Sequence, residues 1–262
     1  MAGSLEGPLA KWLRANTELK KLKDEIETIW PPHKTWPVRP KVDRDGLEHR
    51  FHLGELPEIG PEWALWAGEI IFDLRSSLDH LVYQLYVRRY RGKVPREIEK
   101  RSQFPIFSSY SQFSRIGLGY IKTLCKGDRQ AITDLQPYNA WHDGWEHTRA
   151  ALAELSAVHN IDKHRKLHVV TGSQRAIIRI DVPTDVGFKS EPIWGAVKSH
   201  SHVETWTFTK APTEVPNHGG AYLQIALKDG NRSSDLLPLL EGFSNAVLRV
   251  INRFSDRFPS PS

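Results

Sequence analysis

The chain has 262 residues, 39% hydrophobic and 26% charged, which excludes a disordered or fibrous protein and provides for a core that needs no staples. Its one cysteine, Cys125, cannot close an internal disulfide or build a cysteine-rich metal centre, and no run approaches the roughly 18 apolar residues of a membrane span. The formal charge of +5 is concentrated: residues 86–102 hold seven Lys or Arg against two Glu, while the 29 basic and 29 acidic residues elsewhere cancel. No apolar leader core follows Met1, so a cytoplasmic protein that stays out of membranes is expected.

Residues 8–30 predict the first helix, with Leu9, Trp12, Leu13, Leu19, Leu22, Ile26 and Ile29 at roughly helical spacing, ended by Trp30-Pro31-Pro32. Residues 36–54 predict a hairpin turning at Asp45-Gly46, with Leu47, His49, Phe51 and Leu53 alternating on one face. Pro37 and Pro40 assign its first strand to a sheet edge. Pro61 opens a long helix of about 61–91 that Gly92 ends. Its apolar face, from Trp63 and Trp66 through Leu85, is widened by Ile71, Val82 and Tyr86, so more than one neighbour should bury it.

Short helices are expected near 109–117 and 128–134, and a second strong helix over 145–166, with Leu152, Leu155 and Val158 on its apolar face. The segments LHVVTG, AIIRIDV, HVETWTFT and AYLQIALKDG then read as strands. Ser234 or Asp235 can cap a last helix that carries Pro238 in its first turn. The sum is an α+β fold in which about four main helices form a bundle packed with an antiparallel sheet. It is expected as one integrated domain over residues 1–262, helical over about 8–30, 61–166 and 234–258 and β-rich over about 36–54 and 167–230.

The stretch FDLRSSLDHLVYQL, residues 72–85, is unusually polar for so apolar a helix. At 100° per residue Asp73, Ser77, His80 and Gln84 fall within about 60° of each other, while Arg75 and Asp79 form an i, i+4 pair elsewhere. Arg75 and His80 lie about 140° apart, so they converge only if the helix distorts or a partner chain supplies one of them. The plain reading is a bridge from Asp73 and His80 to another helix, with Arg75–Asp79 a surface pair.

Arg75-Ser76-Ser77-Leu78-Asp79-His80 resembles the short signature of the HEPN superfamily, helical-bundle proteins of which many are metal-independent RNases. The resemblance implies an RNA-cleaving homodimer in which Arg75 holds the scissile phosphate and His80 moves the proton. Ser76 and Asp79 would orient that pair, with Asp73 in support. Guanidinium forks suit phosphate oxygens, and imidazole titrates near neutral pH. Ser76 stands where the family commonly has asparagine, aspartate or histidine, and the strands after residue 166 are foreign to the bundle. The chain is also similar to a group of bacterial proteins without established activity, through LRSSLDHLVYQL, FPIF, LQPY and LSAVHNIDKHRKL.

The basic run after the long helix supplies Arg88, Arg89, Arg91 and Lys93 as candidate RNA contacts, or simply cations suited to a helix C-terminus. A second polar cluster, His159, Asn160, Asp162 and His164, ends the 145–166 helix. His159 is expected to point toward the bundle; either Asn160, Asp162 and His164 line a cleft with the long helix, or Asp162 anchors the turn into the strand while Arg165 covers the helix end. His200 and His202 on a strand would share a face, but no third ligand follows, and no metal or cofactor is expected. Phosphate-loop, dinucleotide and GxSxG motifs are absent from the sequence. Trp141, Trp145, Trp194 and Trp206 could stack on bases or fill a core. The alternative to an RNase is a non-enzymatic binding protein whose polar stripe is structural.

Overall fold

The computed structural model describes residues 3–31, 34–139, 141–164, 167–177, 187–192, 195–212, 219–229 and 232–258. The class is α+β. Four long helices dominate: α1 (Glu6–Ile29), α2 (Glu62–Arg89), α7 (Glu146–His164) and α8 (Leu236–Asn252). Between α2 and α7 run the short helices α3 (Arg96–Glu99), α4 (Tyr110–Gln112), α5 (Leu118–Ile121) and α6 (Lys126–Asp134), with a π-helical turn at Phe113–Gly117. The chain divides into two compact units, neither of them one continuous stretch. The first comprises residues 1–21, 65–166 and 238–262, the second residues 22–64 and 167–237.

In the first unit α2 is the axis. Ile70, Ile71, Leu74, Leu78, Leu81, Val82 and Leu85 are all buried, which leaves no apolar stripe of one side only. Leu152, Leu155 and Val158 of α7 and Leu240, Phe243, Val247, Val250 and Ile251 of α8 are buried as their spacing predicts. The end of α2 is a Schellman turn: Gly92 N donates to Val87 O and Arg91 N to Arg88 O. The left-handed C′ position falls on Arg91 (φ 49°), one residue before the expected Gly92 (φ 86°).

The second unit is an antiparallel eight-stranded sheet in the order β4-β6-β2-β1-β7-β3-β5, with β8 also on β7. Its strands are β1 (Thr35–Val42), β2 (Glu48–Leu53), β3 (His168–Ile177), β4 (Phe188–Pro192), β5 (Gly195–Ala196), β6 (His202–Phe208), β7 (Gly219–Asp229) and β8 (Arg232–Asp235). The β1–β2 hairpin turns through Gly46 at φ 70°, with Asp43 Oδ1 accepting from the Leu47 and Glu48 amides. His49, Phe51 and Leu53 are buried, and the residues between them are not.

β1 is not an edge strand. It lies between β2 and β7, but in stagger: Val38–Val42 pair with β2 and Thr35–Val38 with β7. Pro37 O and Asp43 N bond toward β2, so the odd positions face β2 and Pro40 faces the β7 side, beyond the end of that ladder. Pro37, in turn, faces β2 past its last paired residue, Leu53. Each proline therefore withholds its missing N–H where no ladder bond is required.

LHVVTG and the start of AIIRIDV form one strand, β3, with a bulge between Ser173 and Arg175, where two strands were expected. Residues 178–182 of the second segment lie outside the described residues. α8 starts at Leu236 directly after β8, with Pro238 in its first turn.

Candidate functional site

The polar stripe of α2 is the seat for the start of α1. Arg14 clamps Asp73 with two hydrogen bonds of 2.5 Å, Ser77 Oγ donates to Pro8 O at 2.6 Å, and Gln84 Oε1 accepts from Ser4 N at 3.0 Å. His80 lies beside Gly7, where a Cβ would stand 3.4 Å from Nδ1. Its imidazole is exposed at the surface, and partial burial, with Lys11 nearby, holds its pKa below the ordinary value, so it is neutral near pH 7.

Arg75 points elsewhere. It pairs with Asp79 at 3.0 Å, and the two side chains grip opposite sides of one peptide residue: Arg75 Nη2 donates to Phe104 O at 2.6 Å, and Phe104 N donates to Asp79 Oδ1 at 2.8 Å. The Arg75 side chain is only 12% exposed, and burial lowers its guanidinium pKa, offset by Asp79. Arg75–Asp79 is thus a strut for the Gln103–Phe107 segment and not a surface pair. Gln136 supports the same segment, donating to Pro105 O and accepting from Phe107 N. Arg75 and His80 do not meet within the chain. Ser76 between them is half-buried.

The α7 cluster is divided too. His159 is buried and faces Phe72, ring centroids 6.3 Å apart, rather than His80 or Arg75. Asn160 is exposed, and the His164 side chain lies outside the described residues. Asp162 alone enters a cleft of about 720 Å³, where Gly68 makes room for its carboxylate: a Cβ there would stand 2.9 Å from Oδ1. Arg14, Glu18, Leu65, Glu69, Phe72 and Asp73 complete the lining. Burial raises the Asp162 pKa.

His200 and His202 do not share a strand face. β6 begins at His202, and His200 sits before it with φ 64°, its ring on Glu55 at 2.8 Å. The His202 ring stacks instead on His52. Among the described residues no group of three or more His, Cys, Asp or Glu is arranged to hold a metal ion, and no helix is long and apolar enough to cross a membrane. Of the tryptophans, Trp206 is buried and bonded to Glu204, Trp145 lies under Arg249 and Arg253, Trp141 is exposed, and Trp194 lies outside the described residues.

The basic run behaves in two ways. Arg88 is structural: Nη2 meets the buried Asp128 at 2.5 Å and Nη1 donates to Arg257 O at 2.6 Å. Arg91 and Lys93 are exposed. Arg89 lines a pocket of about 490 Å³ together with Tyr90, Lys122, Thr123, Cys125, Lys126 and Arg129. Two contacts bring these distant segments together, Arg88–Asp128 and the Tyr86 hydroxyl donating to Tyr120 O at 2.7 Å. Four cations converge there, and among the described residues no carboxylate lines the pocket. Arg129 spends one nitrogen on Lys122 O. Lys122, Lys126 and Arg129 were not among the residues singled out from sequence, though K-x3-K-x2-R at the start of a short helix is a signal of clustered charge.

No protein-family model, no curated protein and no solved structure matches the chain.

Proposed function

We propose that the chain binds RNA, and that the basic pocket at the end of α2 anchors its phosphates. The observation that carries this reading is the convergence of Arg89, Lys122, Lys126 and Arg129 on one concavity that no carboxylate lines among the described residues. Cations held together without counter-charges repel one another, and a polyanion relieves that repulsion while releasing its own counterions. Arg91 and Lys93, exposed on the turn after α2, extend the positive surface. The contrast with Arg88, neutralised by Asp128, marks which cations are free for a ligand.

RNA cleavage in the manner of the HEPN superfamily is the second reading, favoured by the exposed and neutral imidazole of His80, which suits proton transfer. Its arginine partner would have to come from a second copy and could not be Arg75 as it stands, pinned on Asp79 and Phe104. A homodimer belongs to this second reading alone.

The test is fluorescence anisotropy of labelled RNA with the wild type and with Lys122→Gln/Lys126→Gln. Both lysines are exposed, so the variant keeps its fold. The expected result is an affinity loss of about tenfold or more. Equal binding by both proteins sinks the pocket reading. Incubating the same RNA in EDTA with wild type and His80→Ala separates binding from cleavage.

A further inference from the structure

We propose that the basic pocket reads a terminal phosphate monoester of RNA in preference to the internal diesters of the chain; this rests on the RNA reading above and names the group the pocket takes. A site that tracks a strand spreads its cations along a groove, one near each phosphate. Here the cations gather instead. Arg89 comes from the last turn of α2, Lys122 from the loop before α6, and Lys126 and Arg129 from the first turns of α6, all lining one pocket together with Thr123. Such a concentration is matched to one group of high charge. A monoester carries about −1.5 to −2 at neutral pH with three acceptor oxygens, a diester only about −1 with two.

The surroundings of the pocket fit an anion in two further respects. Asp128, in the first turn of α6, would repel a phosphate if its charge were free. It is instead buried, bound by Arg88 at 2.5 Å and approached by Arg257 at 3.9 Å, so its charge is countered by two arginines. The N-cap of α6, Cys125, makes no side-chain capping bond, which leaves the first-turn amides without a side-chain acceptor from that residue.

The experiment compares one RNA sequence in four forms, with a 5′-phosphate, with a 5′-methylphosphate, with a 3′-phosphate, and with hydroxyls at both ends, each titrated with wild type, Lys126→Gln and Arg89→Gln. The methylphosphate matches the monoester in size but carries one charge less. The expected result is tighter binding of one monoester end, 5′ or 3′, by about tenfold over its methylated or hydroxyl counterpart, with that preference lost in both variants. Binding of all four RNAs within about twofold of one another overturns the inference and leaves the RNA reading standing. Binding of none overturns the RNA reading, and the inference falls with it.

Discussion

Replacing Arg75 by alanine decides whether the arginine of the LRSSLDHL stretch is a strut or a catalytic group. The side chain is 12% exposed and its partner Asp79 33% exposed, so this is a partly buried pair. The substitution takes the charged donor from Phe104 O and the cation from Asp79, although Asp79 retains the Phe104 amide. Breaking a fully buried pair costs about 3–5 kcal/mol. Because water reaches Asp79, the expected cost here is about 2–4 kcal/mol, as for a charge-assisted hydrogen bond lost together with a stranded carbonyl. At about 2–4 °C per kcal/mol for a chain of this size, Tm falls by about 5–15 °C. Arg75→Lys keeps the charge but cannot fork onto both Asp79 and Phe104 O, and should fall between the two. Urea denaturation followed by circular dichroism provides the assay. A loss below about 0.5 kcal/mol for Arg75→Ala would place the pair with ordinary surface salt bridges and refute the strut.

Two further outcomes follow from the same reasoning. Arg91 occupies the left-handed C′ position at φ 49°, a conformation that costs a side-chain-bearing residue about 1 kcal/mol relative to glycine. Arg91→Gly should therefore stabilise the fold by about 0.5–1 kcal/mol despite losing a cation; measured destabilisation would contradict the Schellman geometry. Asp143 accepts from the buried Arg149 at 2.8 and 3.1 Å, and that guanidinium holds its carboxyl at about 2. A depressed carboxyl stabilises the fold above its unfolded pKa of about 3.9, and the contribution is lost as pH falls through about 2. A carbon-detected NMR titration should find the Asp143 midpoint near that value; a midpoint in the ordinary carboxylate range would show the bond to Arg149 is not made in solution.

The long helices were legible because their apolar residues recur at helical spacing over many turns, and the first hairpin because Asp45-Gly46 can turn in few other ways. What periodicity does not carry is which neighbour a strand or side chain meets. Pro37 and Pro40 were sound evidence that some backbone positions in β1 lack a ladder partner, yet the stagger between β2 and β7 supplies such positions in the middle of a sheet. His200-Ser201-His202 has the alternation of a strand, but the left-handed His200 places it before β6. The polar stripe of Asp73, Ser77, His80 and Gln84 was visible, and the plain reading of a bridge to another helix held for Asp73. Its partner was not, because Arg14 and the Pro8 carbonyl are some 60 to 70 positions away in the chain. Lys122, Lys126 and Arg129 join Arg89 only through the packing of the intervening segment, which carried no strong period.

The most direct test of the RNA reading is the salt dependence of binding. Single-stranded RNA lowers log K against log salt by about 0.7 for each phosphate charge neutralised, so a terminal monoester of charge about −2 held in the pocket should contribute a slope of about −1.4. Lys122→Gln/Lys126→Gln should flatten the measured slope by about 1.4. A slope that the double variant leaves unchanged would mean that the phosphates sit elsewhere, and would contradict the account.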